Sequence, residues 1–164
     1  MSAALHDFWL ALSQSGLGLW IAGSTWVYPL LEIVHVVGLG LLFGPIVLLD
    51  LRILGIGREL PLGALGRTVL PCVWTGFFLN ATSGVLLFVS NAAELAANTP
   101  FRIKIVLIAL AGLNVLVLHR RTYARAVSLA TGARAPNAAR AAATASICLW
   151  LGVIAAGRMI AYID

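Results

Sequence analysis

The stretch YPLLEIVHVVGLGLLFGPIVLL, from Tyr28 to Leu49, carries two ionisable side chains, Glu32 and His35, in an otherwise apolar run. At about 1.5 Å per helical residue it is long enough to cross the ~30 Å hydrocarbon core of a bilayer. An ionisable group at such depth costs roughly 3 kcal/mol or more, so these residues face a bundle interior, a water-filled cavity or a bound group. Glu32 and His35 stand one turn apart and share a helix face. This stretch therefore indicates both the class of fold and the place to look for chemistry.

Composition extends the reading to the whole chain. Of its 164 residues, 61% are hydrophobic and 10% charged, and mean hydropathy is +0.99. That cannot cover a water-soluble surface at ordinary charge density. The expected fold is an all-α integral membrane four-helix bundle in one domain over residues 1–164, with spans at about 28–54, 69–91, 101–120 and 142–163. The lipid bilayer is its first partner. A net charge of +5 does not point to nucleic acid, because the basic residues lie in loops beside apolar helices. Arg52, Arg58 and Arg67 follow the first span; Arg120, Arg121, Arg125, Arg134 and Arg140 lie between the third and fourth. By the positive-inside rule these loops are cytoplasmic and both termini lie outside, on the periplasmic face of a bacterial inner membrane.

Residues 5–22 are too polar and interrupted to span. They lack a basic start and a small-residue cleavage site, so they read as part of the mature chain. An interfacial amphipathic helix is expected there, with Trp9, Trp20 and Trp26 at headgroup depth. Gly55 and Gly57 are read as the stop of the first span. Gly76, Asn80 and Gly84, at four-residue spacing, form a stripe that lets another backbone approach. Ala145, Gly152 and Ala156 suggest a similar face on the last helix. The two stripes suit intrachain packing, a homodimer or a larger membrane complex. Cys72 and Cys148 read as reduced, buried small hydrophobes. Asn80 and Asn114 read as interhelical hydrogen-bonding groups, and Asp50 with Arg52 as an inner-surface charge pair.

With alternating helix directions, His35, Lys104 and Arg158 all fall in the outer half of their helices, and Tyr28, Asn91 and Glu94 lie at the same level. Glu32, His35, Lys104 and Arg158 are thus the candidate cofactor-binding residues of one outer site, with His35 as its metal ligand. His119 lies ~22 Å deeper than Lys104 on the same helix, which excludes His35 and His119 as paired axial ligands of one haem. A haem at the outer site would take His35 with Lys104, His6, water or an open sixth position. Lys104 and Arg158 would alternatively neutralise its propionates or snorkel to headgroups. No CxxC, HExxH, phosphate loop or CxxCH occurs, so no soluble-enzyme chemistry is indicated.

Four segments carry a family resemblance: YPLLEIVHVVGLGLLFGPIVLLDLRILG at 28–55, LPCVWTGFFLNATSGVLLFVSN at 70–91, FRIKIVLIALAGLNVLVLHR at 101–120 and WLGVIAAGRMIAY at 150–162. They resemble a family of small four-helix bacterial inner-membrane proteins classed as a domain of unknown function. More distantly, an early-helix histidine and a lysine opening the third helix resemble the bacterial four-helix membrane protoporphyrinogen oxidase. That likeness implies haem b or porphyrin at His35 and Lys104. Sparse outer-leaflet histidine is similar to the copper-resistance membrane proteins and implies copper at His35, with His6. Glu32 beside His35 and Arg158 in the last helix depart from both patterns.

Three expectations result. The first is a b-type haem-binding membrane protein in electron transfer or porphyrin-linked redox with a quinone or periplasmic partner, Glu32 orienting the site or taking a proton. The second is a copper-binding or transport protein. The third is a non-catalytic subunit of a membrane complex; whether the chain is an enzyme stays open.

Overall fold

Long apolar runs free of interior helix breakers other than single prolines fold as helices, since hydrocarbon offers the backbone no other hydrogen-bond partners. The computed structural model describes residues 3–118 and 134–163, and among these the chain is all-helical. The helices are α1 (Ala3–Ser13), α2 (Gly16–Gly23), α3 (Val27–Leu54), α4 (Leu62–Ser90), α5 (Ala92–Ala97), α6 (Thr99–Leu118) and α7 (Asn137–Met159). Four of them, α3, α4, α6 and α7, are long and apolar enough to cross a membrane. That is the composition of a multi-pass membrane protein.

Local chemistry sets the breaks. The region expected as one interfacial helix over 5–22 is two helices, because Ser15 leaves helical geometry and its hydroxyl accepts from Gly18 N at 3.2 Å, capping α2. α3 runs through Pro45 and ends where Gly55 takes φ +113°, a left-handed turn that glycine adopts without strain. Arg52 is buried and donates Nε to Leu60 O at 2.6 Å and Nη2 to Arg58 O at 2.8 Å. It therefore stitches the turn to the helix rather than serving the expected pair with Asp50. α4 begins directly after Pro61, earlier than the expected start at 69, and Pro71 sits inside it.

Tight backbone contact holds α3 to α4. A Cβ on Gly38 would fall 2.7 Å from Asn80 N, and one on Gly76 would meet Gly38 O and Leu42 N. Such proximity is what small residues contribute where lipid supplies no hydrophobic drive. α6 packs against α7, and the α3–α7 contact joins the two pairs. Leu42, Ala111, Trp150 and Val153 form the central cluster. A second lies nearer the 55–61 loop, built from Ile53, Leu62, Ala139 and Ala143. Asn114 Nδ2 donates across to Ala142 O at 2.9 Å.

Two expectations about faces are corrected. Gly152 packs against Leu107 of α6 as expected, but the buried small residues of α7 are Ala139, Ala143 and Ser146, and Ala145 is exposed. Cys72 and Cys148 are both on exposed faces. The physical reason is shared: an outward face of a spanning helix is as apolar as its core, so a small or thiol side chain does not reveal which way it points.

Candidate functional site

At the end of the bundle carrying α1, the elements converge through aromatic contacts. Trp9 of α1 meets Phe88 of α4 edge-on at 5.4 Å, and Phe88 stacks on Phe101 of α6 at 5.3 Å. Asn98 is buried; its Nδ2 donates to Ile163 O at 2.7 Å and its Oδ1 accepts from Phe101 N at 2.9 Å. The start of α6 is thereby tied to the chain beyond α7. Trp20 and Trp26 are exposed, at 61% and 75%.

Just below this cap, His35 is half-buried on the side of α3 that meets α4. Its Nδ1 lies 3.1 Å from Ser83 Oγ. The hydroxyl proton of Ser83 is already committed to Leu79 O at 2.6 Å, so Oγ is left to accept. Nδ1 therefore carries the hydrogen of the neutral ring, and Nε2 presents its lone pair. Asn80 Nδ2 donates to His35 O at 2.8 Å, fixing the backbone beneath the ring. Gly84 is the ring's neighbour: a Cβ there would sit 3.0 Å from His35 Cε1. Three features of α4, at positions 80, 83 and 84, thus orient one imidazole.

Of the other residues expected beside it, Lys104 reaches across to α7. Its side chain lies along Gly157 of α7, whose Cβ position is 3.7 Å from Lys104 Cδ, Cε and Nζ. Glu32 is not on the Ser83 side. It lines a shallow outward groove of about 510 Å³ with Pro29, Ile33, Val36 and Val37. Arg158 turns outward too; its Nη2 donates to Tyr162 Oη at 2.6 Å and its guanidinium lies 5.0 Å from that ring's centre. Geometrically this is a snorkelling arginine held on an aromatic. Glu94 accepts from Asn91 Nδ2 at 2.6 Å. His6 is exposed on α1, and His119 lies outside the described residues.

The contacts thus gather Asn80, Ser83 and Gly84 around His35, while Glu32 and Arg158 turn outward. Among the described residues no three His, Cys, Asp or Glu side chains gather as metal ligands. His35 Nε2 is the donor able to bind a transition metal or haem iron, and it has the hydrogen-bonded second nitrogen such ligands normally carry. Sequence reasoning missed Ser83. Its only signal was a hydroxyl lying between Asn80 and Gly84 in the small-residue stripe.

Comparison with known proteins adds no family: no family model, curated protein or solved structure matches the chain.

Proposed function

We propose that the protein is a multi-pass protein of the bacterial inner membrane that holds a b-type haem at the α1 end and takes part in electron transfer. His35 would hold the haem iron through Nε2, and Lys104 would neutralise a propionate or hold the iron with it. When bound, the haem would supply a one-electron centre. The protein's part is to hold the imidazole in one tautomer and orientation, and to exclude water with the Trp9, Phe88 and Phe101 cap. The observation that carries this reading is the Nδ1 to Ser83 contact, which leaves Nε2 as a preoriented donor.

The same reading assigns both termini to the periplasmic side, from the arginines that flank the 55–61 turn and precede α7. A quinone or a periplasmic redox protein is then the partner, and the lipid-facing groove beside Glu32 lies on the same helix as His35. Lipid surrounds the four spans, and a homodimer or larger complex would form on their exposed apolar faces.

The test is an optical spectrum of detergent-purified protein from cells supplied with iron and a haem precursor, oxidised and then dithionite-reduced, with His35→Ala alongside. A Soret band and a reduced α band in the wild type, both lost in the variant, are expected. A featureless spectrum from folded wild-type protein would sink the haem reading. Bound copper by elemental analysis would then move His35 to a copper site, and neither metal would leave a structural subunit.

A further inference from the structure

A second polar feature lies at the other end of the bundle and does not depend on the haem reading. α3 and α7 run antiparallel in a regular register, with Ile46 near Trp150 in the central cluster and Ile53 near Ala143 in the second. Between these levels lie Asp50 of α3 and Ser146 of α7. Both are 4% exposed, and Asp50 Oδ2 has no hydrogen-bond partner. One turn farther along α7, the buried Trp150 Nε1 is also without a partner. Each helix thus contributes an unsatisfied polar atom to one closed seam.

Among the described residues, the cations around Asp50 are otherwise engaged or distant. On its own helix, Arg52 gives its donors to Leu60 O and Arg58 O, and Arg58 Nε donates to Gly55 O. On α7, Arg140 is six residues from Ser146, about 9 Å along the axis, and its buried Nε has no acceptor. Arg134 precedes that helix and is exposed. On α4, Arg67 is exposed, and α2 carries no titratable residue. Glu59, in the turn, is an exposed anion. Among the described residues, then, no cation is hydrogen-bonded to this carboxyl. A buried carboxylate anion with one bare oxygen and no cation bonded to it is strongly disfavoured, and protonation removes that charge.

We propose that Asp50 is a proton-binding site enclosed between α3 and α7, exchanging one proton with the compartment beyond the 55–61 turn. The step is a plain protonation: a proton from water adds to a carboxylate oxygen of Asp50 and leaves by the same route. Asp50 lies four residues before the end of α3, about 6 Å from the turn, which makes that side the way in. About 15 residues, or ~22 Å, separate it from His35 along the same helix.

The experiment is infrared spectroscopy of the full-length protein in liposomes near neutral pH. The chain has three aspartates, Asp7, Asp50 and Asp164. In an Asp7→Asn, Asp164→Asn variant grown on 13C-carboxyl aspartate, Asp50 is the only labelled aspartate side chain. A protonated-carboxyl C=O band that shifts with the label and again in D2O is expected, and it should be absent from Asp50→Asn. Absence of that band in the labelled protein, or its failure to move in D2O, overturns the proposal. Because the labelled protein keeps Asp50, the result stands whether or not Asp50→Asn folds. A haem spectrum is not part of the readout, so failure here leaves the His35 reading intact.

Discussion

Ser83 is a positioning residue for His35, and its hydroxyl bridges two roles, accepting from the imidazole while donating to Leu79 O. Replacing it with alanine removes the acceptor that holds the hydrogen on Nδ1. Outer-shell partners of a ligating histidine are worth about 10–100-fold in affinity, so under the proposed haem reading Ser83→Ala is expected to weaken haem retention by that factor. Titrating haem into apoprotein, with helicity by circular dichroism as the control for folding, measures it. Unchanged affinity would mean that the Ser83 contact only packs the ring. Ser83→Thr keeps the hydroxyl and should restore binding, whereas a merely steric role would not distinguish it from valine. Among single residues the sequence is informative about His35 and Lys104, since ionisable groups in apolar runs stand out. It is uninformative about Ser83, because serine is common at helix interfaces in membranes and carries no such contrast.

Between elements, the α3–α4 seam depends on backbone approach at Gly38 and Gly76. A Cβ at Gly76 meets backbone atoms of Leu42 and Gly38, which cannot yield as a flexible side chain would. Gly76→Ala is therefore expected to destabilise by ~1–3 kcal/mol, the usual cost of overpacking. Gly112→Ala, where nothing lies within 4 Å, should change stability by no more than about 0.5 kcal/mol. Unfolding in mixed SDS micelles, followed by tryptophan fluorescence, compares them. Equal effects would mean that the seam is loose. The Gly76, Asn80 and Gly84 spacing makes this seam legible in advance, since a regular small-residue stripe has few other uses. The face of α7 is not legible in the same way: Ala145 and Ala143 are chemically alike, and packing against Ile53 and Leu62 is what distinguishes the buried one. The break between α1 and α2 is equally hidden, because a serine cap at Ser15 and an ordinary polar residue look the same until the backbone turns.

For the whole molecule, the topology assigned from arginine placement predicts that alkaline phosphatase fused after Ile163 is active and that the same reporter inserted at the 55–61 turn is inactive. The reverse pattern would place His35 on the cytoplasmic side and require a cytoplasmic electron donor. Trp9→Ala should loosen α1 from α4 by ~0.5–1.5 kcal/mol, the usual worth of an edge-on aromatic pair. Faster hydrogen exchange confined to α1 and α2 is the expected signature, and uniform exchange would show that α1 is held by other contacts. The helical class and the four candidate spans follow from the chain's own order of residues, because the hydrophobic content of a run of about 20 residues is a sum that needs no knowledge of neighbours. Which polar groups meet does not follow from it. Glu32 and Arg158 turn outward, His35 finds Ser83, and Asp50 turns inward, since rotation of a helix about its axis is set by packing, and an apolar helix has no polar stripe to announce it.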